Sequence, residues 1–206
     1  MKIIFFPTII MCINIKTSIG AFIIGTVSGL ILNKSENKEN KILGKFIIFY
    51  TMVQLFEALI YNNNTEIYSK LLLINLGFQG LVFILLLNDF IPINKIYIYI
   101  TSLIAAFIFY KSIHPEFIKA STTNGMKWEF NDNTTSTLLM IMYITMFISV
   151  LNNNKKLDKI NKMGILLFIT FIISYTMKES EIICNINRPS MWCLSSAIAA
   201  PLSLFI

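Results

Sequence analysis

The sequence predicts an all-α membrane protein, a bundle of seven spanning helices, and three observations carry that prediction. Apolar residues make up 55% of the 206 residues and charged ones only 14%, with a mean hydropathy of +0.68. That is far too little charge to cover the surface of a soluble domain. The apolar residues gather in blocks of about 15–20 between short polar runs, the length a helix needs to cross a hydrocarbon core of about 30 Å. Segments of about ten residues with alternating polarity, the mark of an outer-membrane barrel, are absent. A single membrane domain over residues 17–206 accounts for the chain and leaves no room for a second folded unit.

The elements follow in order. Met1 to Ile13 has a lysine and then an apolar run, like a short signal peptide, and Ser18-Ile19-Gly20 could pass for a small-residue cleavage site. Cleavage there would leave only about twelve apolar residues before Asn33, too few to span. Residues 1–16 are therefore expected as an uncleaved interfacial segment, or the chain starts at Met11. The first span, 17–32, is rich in small residues, and Gly25-x-x-x-Gly29 lets a neighbouring helix approach closely. A polar loop, 33–45, precedes the second span, 43–61, which Asn62-Asn63-Asn64 closes. The third span is 67–87. The fourth, 93–111, follows Pro92, a favoured residue at a helix start. A long connection, 112–133, holds His114 and Trp128 and leads to spans at 134–151, 163–177 and 190–206.

Charge sets the expected orientation. One side of this topology carries 8 basic residues over long stretches, and the other carries 9, of which 8 sit in two compact loops. Those are Lys34, Lys38, Lys41 and Lys45, and Lys155, Lys156, Lys159 and Lys162. Dense short-loop lysine marks the cytoplasmic face, so the amino terminus is expected outside and the carboxyl terminus in the cytoplasm. The sequons at Asn63 and Asn133 would then face outward and the one at Asn33 inward. The net charge of +6 has no basic stripe interleaved with aromatics, so a nucleic-acid partner is not expected. The partners expected are the lipid bilayer, a small ion or proton, and a second copy of the chain. Leu32-Asn33, a lysine-rich loop, a glycine and a helix through Tyr50-Thr51-Met52 are echoed by Leu151-Asn152, a lysine-rich loop, Gly164 and Tyr175-Thr176-Met177. Two parallel three-helix units joined by a linking helix would produce such an echo.

The candidate site lies in the second helix, Phe46 to Tyr61, where Gln54 and Glu57 stand three apart on one face. A carboxylate at intramembrane depth costs about 2.5–3.5 kcal/mol on insertion scales, so it faces protein or a water-filled cavity. The functional reading is an ion or proton site with Gln54 as hydrogen-bond partner. The competing readings are a carboxylate that fixes helix packing and one that snorkels to the interface. Asn75 and Gln79 share a face of the third helix, either as interhelical hydrogen bonds of about 0.6 kcal/mol each or as the lining of a polar cavity. Cys12, Cys184 and Cys193 fall on the outer side, so a disulfide from Cys12 to Cys184 or to Cys193 is open, with buried free thiols as the alternative. With one histidine and no Cys-x-x-Cys, no metal site is expected, and nothing points to a cofactor. His114, next to Pro115, reads as a loop residue rather than a catalyst. Hydrolase and phosphate-loop motifs are absent, and the last helix has no lysine for a retinal Schiff base. Trp192 stands where interfacial aromatics sit.

Three motifs carry a resemblance. Met11-Cys12 followed by Ser18 resembles a Met-Cys-Phe-Ser-Ala-x-x-Ser start, Gln54-x-x-Glu57-Ala58-x-x-Tyr61 resembles Gln-x-x-Glu-Gly-x-x-Trp, and Ser190-Met191-Trp192-Cys193 resembles Ser-x-Trp-Cys at the last helix. Together they resemble a group of uncharacterised small multi-pass proteins of bacteria and large DNA viruses. The chain departs from that pattern in Ile13-Asn14-Ile15, in Tyr61 for Trp, and in ten residues before Met11. The resemblance implies no substrate. It does single out Cys12, Ser18, Glu57, Trp192 and Cys193 as a shared outer face. The function expected is a small transporter or channel with Glu57, Gln54, Asn75 and Gln79 around an ion, with a structural or interaction protein as the alternative. An enzyme is the least supported reading, because no nucleophile–base pair can be read.

Overall fold

Among the described residues, five helices carry the fold. The computed structural model describes residues 15–63, 66–114, 118–121, 127–130, 133–153, 157, 159, 160, 162, 164, 165, 201, 202 and 204. The helices are α1 (Ile15–Asn33), α2 (Lys38–Asn62), α3 (Glu66–Asn88), α4 (Lys95–Ile113) and α5 (Asn133–Leu151). Among the described residues, α1 to α4 are each long and apolar enough to cross a bilayer, and α5 carries a shorter apolar stretch over Thr137–Leu151. The chain is thus a multi-pass α-helical membrane protein. Most of the expected spans at 163–177 and 190–206, Tyr175-Thr176-Met177 of the internal echo, and residues 1–14 lie outside the described residues.

Helix ends follow asparagine rather than hydropathy. Asn37 caps α2, its Oδ1 accepting from the N–H of Glu39 at 2.8 Å and of Asn40 at 3.4 Å. That cap starts α2 about a turn before its apolar segment, so the expected loop of 33–45 shrinks to a tight turn over 34–37. Asn94 caps α4 by accepting from the N–H of Ile96 at 3.0 Å, and Asn88 Oδ1 accepts from the N–H of Ile93 at 3.1 Å. Pro92 therefore sits in an extended connection before α4 and does not open the helix as expected. The connection after α4 holds an antiparallel hairpin, β1 (Ile118–Ser121) and β2 (Lys127–Phe130), paired from Ile118 with Phe130 to Ser121 with Lys127.

Two different packings hold the helices. The buried residues of α1 are nearly all small: Ser18, Ala21, Gly25, Ser28 and Gly29, with Leu32. Its large residues, Ile19, Ile23, Ile24, Val27, Leu30 and Ile31, point outward. A membrane helix has no hydrophobic gain from hiding isoleucine, so it hides its smallest side chains and brings backbones close. A Cβ on Gly29 would lie 2.8 Å from the carbonyl oxygen of Gly44, and a Cβ on Gly44 would lie 2.5 Å from that of Gly29. The remaining helices pack through two apolar clusters. One joins Leu32, Ile42, Phe46, Phe83, Leu87, Ile93, Val150, Leu157 and Ile160 at the end where the lysine-rich segments gather. The other joins Val53, Ile60, Leu72, Leu76, Ile104, Ile108, Leu139 and Met142 toward the opposite end. Tyr143 packs against both.

The two lysine-rich segments meet at one end of the bundle. Glu39 Oε2 accepts from the backbone N–H of Lys159 at 3.0 Å and of Ile160 at 3.2 Å, while Ile42 and Leu43 share a cluster with Leu157 and Ile160. Asn63 at the end of α2 and Asn133 at the start of α5 belong to the opposite end.

Candidate intramembrane carboxylate site

The four residues singled out on α2 and α3 are all buried. Glu57 and Gln79 have no exposed surface, Gln54 is 3% exposed and Asn75 6%. On α2 the spacing explains this. Val53, Gln54, Glu57, Ala58 and Ile60 form one buried stripe, so the carboxyl is flanked one turn each way by Val53 and Ile60 of the second apolar cluster. Glu57 lies five residues in from Asn62, the last residue of α2, which is about 7–8 Å along the axis. Among the described residues it is the only buried acid, and no lysine or arginine is buried. Snorkelling to the surface, one of the readings open from sequence, does not fit zero exposure.

Asn75 and Gln79 belong to a continuous hydrogen-bonded chain across three helices. Tyr143 OH of α5 donates to Gln79 Oε1 at 2.6 Å, Gln79 Nε2 donates to Asn75 Oδ1 at 3.3 Å, and Asn75 Nδ2 donates to the Phe49 carbonyl of α2 at 3.2 Å. The four-residue spacing lets the two amides meet on one helix face. The Phe49 carbonyl oxygen has a second lone pair beside the one its helix ladder uses, so the contact is made without breaking the helix. Sequence reasoning missed Tyr143. A lone tyrosine inside the apolar run of α5 was the available signal, because a phenol buried in a helix bundle finds a hydrogen-bond partner.

Gln54 differs from these amides. Its Oε1 is buried and accepts no hydrogen bond from the described residues. Ser18 is fully buried as well, and its Oγ also has no partner among them. The α1–α2 seam sets their relative height. A Cβ on Gly25 would meet Thr51, and one on Gly29 would meet Ile48, so the helices run antiparallel with these positions opposed. Two turns from Gly25 is Ser18, and two turns from Thr51 is Ala58, next to Glu57. Ser18 therefore lies near the level of Glu57, with Gln54 about one turn away along α2. Thr26 Oγ1 of α1 is likewise buried with no hydrogen-bond partner among the described residues, whereas four other hydroxyls are satisfied within their own helices. Thr51 donates to the Ile48 carbonyl, Thr101 to that of Tyr97, Thr145 to that of Ile141 and Ser149 to that of Met146.

Cys12, Cys184, Trp192, Cys193 and both disulfide pairings lie outside the described residues. His114 caps the end of α4, exposed, its ring 4.9 Å from that of Tyr110. Among the described residues no three His, Cys, Asp or Glu side chains come together as metal ligands. What a buried carboxyl on α2, with a buried amide one turn away, can do chemically is hold one proton or one small cation in apolar surroundings. Compared with known proteins, the chain matches no family model, no curated protein and no solved structure.

Proposed function

We propose that the protein is a small transporter or channel whose ion site is built on Glu57, with Gln54 beside it. The observation that carries this reading is a fully buried carboxyl on a membrane-length helix, next to a buried amide oxygen that accepts no hydrogen bond from the described residues. A bundle selected only for packing gains nothing from the Gln54 amide oxygen, because a buried polar atom without a partner costs about 1–3 kcal/mol. Intramembrane ionisable residues mark ion pathways and proton relays for that reason. Asn75 and Gln79 then hold the frame around the pathway, tying α2 to α3 and α5. The proposal includes the seven-span count, an outside amino terminus and a cytoplasmic carboxyl terminus, self-association, and kinship with the uncharacterised small multi-pass proteins. It rests there on the sequence pattern of spans, lysines and motifs.

The second reading is a structural or interaction protein of a membrane. The Tyr143–Gln79–Asn75–Phe49 chain favours it, since that chain does nothing but join helices. Flux measured in liposomes under proton, sodium and potassium gradients separates the two. Flux above that of empty vesicles, lost on Glu57→Gln in protein that still inserts, is the expected result. Wild-type protein that carries none of the three ions would leave the structural reading.

A further inference from the structure

Two lysine-bearing segments far apart in the sequence are locked together at one end of the bundle. Glu39 Oε2 accepts from the backbone N–H groups of Lys159 and Ile160, and Leu157 and Ile160 share a buried cluster with Ile42 and Leu43 of α2. Lys159 is thereby fixed beside the first turns of α2, with Lys162 three residues on. On the other flank the end of α1 abuts Gly44, where a Cβ would lie 2.6 Å from the Asn33 backbone nitrogen. Lys34 follows directly and is exposed. Between the two flanks run Lys38, Lys41 and Lys45, all exposed. At about 100° per residue they fall within roughly 60° of one another around the helix. They form one stripe, on the face of α2 that its neighbours leave open.

Lys38, Lys41 and Lys45 pair with no acid among the described residues, whereas Lys70 at the opposite end holds Glu66 at 2.6 Å. Glu39 commits its Oε2 to two backbone N–H groups, and Glu36 and Asp89 are exposed in the turns after α1 and α3. The depth of the stripe says what it meets. From Lys38 to Lys45 the helix rises about 10 Å, and the apolar run of α2 begins at the next residue, Phe46. The headgroup layer on one side of a bilayer is about 5–8 Å thick. The stripe therefore climbs through the depth of the lipid phosphates to the edge of the hydrocarbon, where a lysine extends its charge outward along an apolar stem. A soluble acidic partner on the tip of the bundle would meet Lys38 and leave Lys45 among the headgroups.

We propose that this stripe, flanked by Lys34 and Lys159, binds the phosphate headgroups of anionic lipids in the leaflet at this end. Lysine holds phosphate as a point charge, and juxtamembrane clusters of about four to eight basic residues attract anionic lipid. The surface lies at the opposite end of α2 from Glu57, and its binding stands whether or not the protein carries ions.

Native mass spectrometry of the full chain, released from micelles containing phosphatidylglycerol or phosphatidylcholine, counts the lipids that stay bound. The wild type is expected to retain phosphatidylglycerol in preference. Lys38→Gln, Lys41→Gln and Lys45→Gln combined should lower that preference at least about tenfold. Arginine at the same three positions should keep it, and Lys16→Gln, Lys119→Gln and Lys127→Gln combined, from the other end, should leave most of it. Equal retention of the two lipids overturns the proposal, as does a stripe variant that keeps the wild-type preference. Loss of the preference in the arginine variant would assign the effect to lysine packing rather than charge and overturn it too, and so would an equal loss in the variant of the other end. Inorganic phosphate and a polyglutamate peptide are offered in phosphatidylcholine micelles as the soluble alternatives. Binding of either that the stripe variant loses, with no preference for phosphatidylglycerol, would give the surface to a soluble anion and overturn the lipid assignment.

Discussion

The two faces of α2 are held by opposite means. Toward α1 the contact is made of absence: Gly25 and Gly29 on one helix and Gly44 on the other remove side chains so that backbones touch. Toward α3 and α5 the contact is made of bulk, two apolar clusters with a polar chain between them. In lipid neither face gains from hiding oil from water, so each uses what the bilayer leaves available, close dispersion contact on one side and hydrogen bonds without water as competitor on the other. The difference shows which contacts tolerate change. A glycine seam fails by steric overlap, all at once. A polar chain fails one bond at a time.

Substitutions along the two faces should follow that order. The largest loss is expected for Gly44→Leu or Gly29→Leu, where the new side chain meets backbone that no rotamer change can move. The cost should reach or pass the upper end of the roughly 1–3 kcal/mol of an overpacked core. Unfolding by denaturing detergent measures it, with Gly20→Ala as the control, since a Cβ there meets nothing within 4 Å. An unfolding midpoint indifferent to both leucines would mean that close approach does not hold α1. Next comes Tyr143→Phe, which removes the donor to Gln79 Oε1 and should cost about 1 kcal/mol. Glu39→Ala should lose a similar amount but locally. Faster hydrogen exchange at Lys159 and Ile160, whose N–H groups it caps, is the signature. Thr101→Val and Ser149→Ala should change stability by less than about 0.5 kcal/mol, because those hydroxyls bond only to carbonyls of their own helices. A large effect at either would mean that the hydroxyl also bonds to a neighbouring helix.

Much of the first face was legible in the sequence and little of the second. Gly25-x-x-x-Gly29 announces a close helix contact, but its partner Gly44 was hidden, because the lysines around it read as loop while the Asn37 cap carries α2 out past its apolar segment. Membrane-length helices were readable because composition and length decide them. Their ends were not, since a single asparagine side chain sets each start and Pro92 gives a stronger but misleading signal. Glu57 stood out as the lone acid in an apolar run, and Asn75 and Gln79 as amides four apart. Their burial was a fair inference from cost. The partner of Gln79 was not, because Tyr143 lies 64 residues away and only the packing of α5 beside α3 brings it near. The short hairpin between α4 and α5 had no signal beyond a connection too long to be a turn.

Flux per folded molecule, compared between Glu57→Gln and Tyr143→Phe, most directly tests the central claim that the carboxyl of α2 is there for function and the polar chain for structure. Reconstituted protein is quantified for correct insertion, and its ion flux is divided by that amount. The account predicts that Glu57→Gln inserts and unfolds like the wild type yet carries no flux, while Tyr143→Phe inserts less well but each folded copy conducts normally. Wild-type flux per folded molecule in Glu57→Gln would contradict the account and return Glu57 to the packing of the bundle.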